Sequence, residues 1–124
     1  MPNTSLLLII ELDKPLAIPI STLPRYFELF VTQSITESLE VIRNENVELI
    51  MITASIDAFY LVSAMEKIAE ALRPRLVPLV LVIDLNVGLS FVPGTTWGGE
   101  IGILHSLSSS QEISATLLRL TGRS

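Results

Sequence analysis

The chain has 124 residues, 49% of them hydrophobic and only 17% charged, with a mean hydropathy of +0.58; that length fills one core well and two poorly, and so apolar a composition excludes disorder. A formal charge of −5 with 8 scattered basic residues argues against nucleic acid or an anionic membrane as partner, because both kinds of binding rest on Lys and Arg neutralising phosphates. The absence of cysteine excludes a disulfide framework and thiol chemistry.

The first apolar run, Ser5 to Glu11, is short and continuous, the pattern of a strand buried on both faces. No basic residue precedes it, so no secretory signal is expected and the expected location is cytoplasmic. Between Lys14 and Pro24 stand prolines at 15, 19 and 24, and proline inside a helix costs about 3 kcal/mol. At most a short helical turn fits between Pro19 and Arg25.

Tyr26 to Val31 is aromatic and β-branched enough for a second strand. Ser34, with Glu37 three positions on, reads as a capping box opening a helix from Ile35 to about Glu45, in which Ile35, Leu39 and Ile42 share a face. Val47 to Thr53 is a third, central strand. Asp57 can cap the next helix, where Leu61, Ala64, Met65, Ile68, Ala71 and Leu72 recur at helical spacing until Pro74 stops it.

Leu76 to Ile83 is the most apolar segment, a fourth strand with Asp84 at its carboxyl end. The stretch from Leu76 to Val92 is interrupted by Pro78, Asp84, Asn86 and Gly88, which is too broken for a membrane span of roughly 20 residues. Asn86 to Gly99 shows no helical period and reads as loop. Glu100 to His105 is a short fifth strand, and Ser108 to Ser110 can cap a last helix carrying Ile113, Leu117, Leu118 and Leu120 and ending at Gly122.

Strands buried on both faces and alternating with helices call for one domain, residues 1–124, with a parallel sheet covered on each side. Two segments carry a resemblance to a known family. Glu37 to Thr53, ESLEVIRNENVELIMIT, is similar to the "EALELL…PDLILLD" helix and strand of response-regulator receiver domains, and Val77 to Ile83 to their "PVIMLT" fourth strand. The resemblance implies an α/β, flavodoxin-like, doubly wound five-stranded parallel sheet of order 2-1-3-4-5. Relative to receivers, the first helix is shortened by prolines and the fourth is replaced by the Gly/Pro loop. Loss of the fourth helix is also seen in the pseudo-receivers of cyanobacterial circadian clock proteins, whose tail the segment Glu100 to Leu107, followed by Gln111 to Leu120, resembles.

Receivers gather three carboxylates around a magnesium ion and transfer phosphate to the aspartate ending the third strand. By the resemblance, the acidic pair maps here to Glu11 and Leu12, or to Leu12 and Asp13 with a shift of one; Thr53 takes the acceptor position; Ile83, followed by Asp84, takes the Thr/Ser position; and Ser106-Leu107 replaces Lys-Pro. A threonine cannot form an acyl phosphate. The expectation is therefore a degenerate receiver site with no catalytic residue, metal or cofactor, phosphorylation of Asp57 being the contrary reading.

Open α/β sheets hold ligands at the carboxyl edge, where Glu11, Thr53, Asp84 and His105, the only histidine, should gather. Such a group would suit a small-molecule sensor, although strand ends also turn polar simply on reaching water. Pro93 to Gly99 is glycine-rich but lacks the Gly-Lys-Ser/Thr ending of a phosphate-binding loop. Trp97, the single tryptophan, sits in that loop and reads either as folded onto the core or as an interface anchor, the role in which aromatics are enriched.

The expected function is thus a non-enzymatic, receiver-like signalling domain that binds a protein partner, or a second copy as a homodimer. Its expected face comprises Leu89, Phe91, Trp97, Leu104 and Leu107. The alternatives are a ligand-sensing regulatory domain and a working phosphorylated receiver.

Overall fold

The computed structural model of the chain describes residues 5–12, 27–53, 58–73, 75–83, 97–105 and 108–121. In chain order these form β1 (Ser5–Glu11), β2 (Phe27–Thr32), α1 (Ile35–Asn44), β3 (Val47–Thr53), α2 (Ala58–Leu72), β4 (Leu79–Ile83), β5 (Ile101–His105) and α3 (Ser110–Leu120). All four ladders are parallel, and the strands lie side by side as β2-β1-β3-β4-β5. This is the doubly wound, flavodoxin-like α/β arrangement that the sequence led us to expect.

Burial on both faces explains why the central strands read as unbroken apolar runs. Leu6, Leu8 and Ile10 of β1, Ile50 and Ile52 of β3, and Leu79 and Leu81 of β4 face one way, against Ile42 of α1 and Leu61, Met65, Ile68 and Leu72 of α2. Leu7, Ile9, Leu49, Met51, Val80 and Val82 face the other way and meet Ile113, Leu117 and Leu120 of α3. The ladder between β1 and β3 shifts between Leu6, which partners Val47, and Leu7, which partners Leu49. Glu48 is the extra residue of this irregularity and is exposed, so the shift lets Val47 and Leu49, two apart in sequence, enter opposite cores.

Helix starts follow local chemistry. The Ser34 hydroxyl accepts from the Glu37 N–H at 3.1 Å, and the Glu37 carboxylate reaches back to the Gln33 N–H at 3.3 Å. At α3, Ser109 and Glu112 form a complete capping box, each side chain accepting the other's backbone N–H at 3.1 Å.

Some boundaries differ from the sequence reading. β4 begins at Leu79 rather than Leu76, because Pro78 has no N–H to give a ladder; its carbonyl instead accepts from Ile50 N–H at 3.1 Å. Arg75, which precedes this stretch, donates from its guanidinium to Asn46 Oδ1 at 3.0 Å and to the Val47 carbonyl, tying the chain before β4 to the start of β3. β2 is displaced one residue toward the carboxyl end, and α2 starts at Ala58. The expected short turn between Pro19 and Arg25 and the expected loop over 86–96 lie outside the described residues. Among the described residues, no helix is long and apolar enough to cross a membrane.

Candidate functional site at the carboxyl edge

The ladder register fixes which residues share the carboxyl edge. Glu11 stands opposite Thr53, Thr53 opposite Val82, and Ile83 opposite His105. One residue past β1, the Leu12 N–H donates to the Thr53 carbonyl at 3.2 Å. The ends of β1, β3, β4 and β5 therefore form one row, which brings Glu11, Leu12, Thr53, Ile83 and His105 together as backbone positions.

The side chains at the centre of this row are poorly suited to phosphoryl transfer. Thr53 is buried, with 2% of its surface exposed, and its hydroxyl cannot form the mixed anhydride that an aspartate forms. Leu12 packs its side chain against the core shared with α1 and α2, so the position next to Glu11 brings a hydrocarbon where a magnesium site needs a hard oxygen donor. Glu11 is half-buried and has interactions of its own. Among the described residues, no group of three or more His, Asp or Glu side chains is disposed to hold a metal ion. Asp13, Asp57, Asp84, Ser106 and Leu107 lie outside the described residues.

A second polar feature at this edge escaped the sequence reading. Thr32, ending β2, and Ser38, on the first turns of α1, are both buried, and their hydroxyl oxygens lie 2.7 Å apart. The Ser38 hydroxyl also donates to the Ser34 carbonyl at 2.7 Å, and the Thr32 hydroxyl lies 3.5 Å from the Ile9 carbonyl. These contacts satisfy both hydroxyls internally and stitch α1 to the sheet. The only sequence signal was a Thr and a Ser at positions where the neighbouring pattern turns inward.

The expected interface requires correction at two positions. Trp97 does not stand out from a loop: it is 6% exposed, belongs to the core cluster beside Val77 and Leu72, and donates its indole N–H to the Val77 carbonyl at 2.6 Å. A large aromatic with a satisfied polar tip is more stable there than in water. Leu104, 3% exposed, faces α3 within the second core cluster. Neither projects outward from the surface as an interface anchor would. On β5 the outward apolar residue is Ile103, 43% exposed. Leu89 and Phe91 lie outside the described residues. Comparison with protein-family models, with curated proteins and with solved structures finds no match to this chain.

Proposed function

We propose that this chain is a receiver-like signalling domain that acts by binding other proteins and is not switched by phosphorylation. The observation that carries the reading is the register at the carboxyl edge: the β3 residue opposite Glu11 is a buried threonine, and the residue after Glu11 is a half-buried leucine packed against the core. A sheet of order 2-1-3-4-5 supplies the scaffold, but many activities share such scaffolds, so the weight rests on these side chains. With Trp97 and Leu104 assigned to the core, the contact surface is better centred on Ile103 of the edge strand β5.

The test is incubation with acetyl phosphate and magnesium, followed by intact-mass spectrometry. The expected spectrum is unchanged. A gain of one phosphoryl group would overturn the proposal and direct attention to Asp57 or Asp84 as acceptor. A second arm compares sedimentation of the wild type with that of Ile103→Asp over a range of concentrations. Self-association lost in the variant, with an unaltered circular dichroism spectrum, would support a homodimer through β5.

A further inference from the structure

A concavity of about 170 Å³ opens at the amino edge of the sheet, at the opposite end of the strands from Glu11 and Thr53. It lies between the end of α2, the segment leading into β4 and the segment leading into β5. Its floor is apolar and belongs to the core: Leu72, Val77 and Trp97 are each less than a tenth exposed. Pockets for drug-sized ligands measure roughly 300–1,000 Å³, so this smaller space suits a group the size of one aliphatic side chain.

The rim has a different character. Arg73 and Arg75 both line it. Arg75 is anchored through Asn46 and Val47, whereas the Arg73 guanidinium has no acidic partner among the described residues. Leu76 lines the same pocket yet is 73% exposed, an apolar side chain left in water beside an apolar floor. Gly98 and Gly99 complete the wall. A Cβ on Gly99 would lie 2.6 Å from the Val77 carbonyl oxygen, so the close approach that shapes this wall requires glycine. Neither glycine's N–H donates to another described residue.

In a chain of net charge −5, two arginines beside a single-side-chain apolar pocket select a partner of opposite character. We propose that this pocket binds an acidic peptide segment of a partner protein, one aliphatic side chain entering between Leu76 and Trp97 while flanking carboxylates meet Arg73 and Arg75. Charge complementarity steers the encounter and rejects basic competitors. The aliphatic side chain supplies the desolvation gain. The pocket lies away from the carboxyl edge and works whether or not that edge accepts phosphate, so its test stands apart from the acetyl phosphate experiment.

Trp97, as the single tryptophan and part of the floor, is a built-in reporter. The whole chain is titrated to millimolar concentration with three peptides: leucine flanked by glutamates, serine flanked by glutamates, and leucine flanked by lysines. Tryptophan fluorescence is read together with the amide ¹H–¹⁵N shifts of Gly98 and Gly99. We expect a saturable change with the first peptide alone, weakening as salt is raised and at least about tenfold weaker in Arg73→Glu. Leu76→Ser is the second variant, with the same expected loss, should Arg73→Glu fail to fold by circular dichroism. The proposal is overturned if neither signal moves with the glutamate–leucine peptide, if all three peptides act alike, or if a folded variant binds as tightly as the wild type.

Discussion

Replacing Trp97 with alanine should unfold the protein far more readily than a loop substitution would. The side chain is 6% exposed, packs in the core shared with α1 and α2, and gives its indole N–H to the Val77 carbonyl at 2.6 Å. Truncating a buried tryptophan costs about 3–5 kcal/mol through lost transfer energy and the cavity left behind. Domains of this size are stable by about 5–15 kcal/mol, so Trp97→Ala removes a large fraction of the total. Trp97→Phe keeps most of the hydrocarbon but removes the donor, and a buried carbonyl deprived of its partner costs about 1–3 kcal/mol. The phenylalanine variant should therefore fall between the other two. Urea unfolding followed by far-ultraviolet circular dichroism measures the series without needing the indole. If Trp97→Ala lies within about 0.5 kcal/mol of wild type, as surface substitutions do, the indole is not part of the core and the assignment of this edge is wrong. The same magnitude means that loss of partner binding in Trp97→Ala would report damage to the fold rather than removal of an anchor.

Four further substitutions test other parts of the structure. On the proposed reading Thr53→Asp should not confer phosphorylation by acetyl phosphate, because Leu12 sets a hydrocarbon beside Glu11 where a magnesium ion would need an oxygen donor, and it should destabilise the domain by about 2 kcal/mol or more at neutral pH by burying a carboxylate next to Glu11. The new carboxyl would have a folded-state pKa above its unfolded value, so the deficit should shrink as pH falls through that raised pKa and vanish below about 3.9, which denaturation at a series of pH values checks. Ser109→Ala removes the capping box of α3 and should cost about 1 kcal/mol in thermal or urea unfolding. Gly99→Ala should be more damaging than Gly102→Ala: the first sets a Cβ 2.6 Å from a backbone oxygen, the second 3.0 Å from the ends of the Leu120 and Thr116 side chains, which can yield. Equal unfolding midpoints for the two glycine variants would refute that ranking.

The elements legible in the sequence were those whose signal is local. β3 matched at both ends because an apolar run is bounded there by a short polar turn and a strand-ending threonine, and α1 and α3 were announced by their caps. The sheet order was legible only through the family resemblance, since which strands are neighbours depends on crossovers that periodicity does not encode. What the sequence could not convey was the environment of single residues. Trp97 sits in a glycine-rich segment with no regular period, and only the three-dimensional course of residues 97–100 past Val77 places its indole against the core and its N–H on a carbonyl. Leu104 alternates with its neighbours, but which side of β5 faces α3 is set by pairing to β4, whose start Pro78 delays. The Thr32–Ser38 contact joins a strand to a helix across a tight turn, and neither residue type is distinctive alone.

A ligand shifts a two-state protein only by as much as it binds one state better than the other. At the carboxyl edge Thr53 is buried, Leu12 packs against the core, and the hydroxyls of Thr32 and Ser38 are bonded internally, so on the proposed reading the row gives phosphate no state to favour. At the amino edge the pocket floor is core and its walls are held by Arg75 on Val47 and by Trp97 on Val77, a pre-formed arrangement that spares a partner the ordering cost of binding. On the proposed reading the domain therefore binds constitutively, and occupancy follows the concentration of the partner rather than a covalent signal. Amide ¹H–¹⁵N spectra recorded with and without acetyl phosphate and magnesium should then superimpose at every position, including β5 around Ile103. Shifts that spread from the carboxyl edge to β5 would mean that a switch survives without the acceptor aspartate, and that binding is conditional after all.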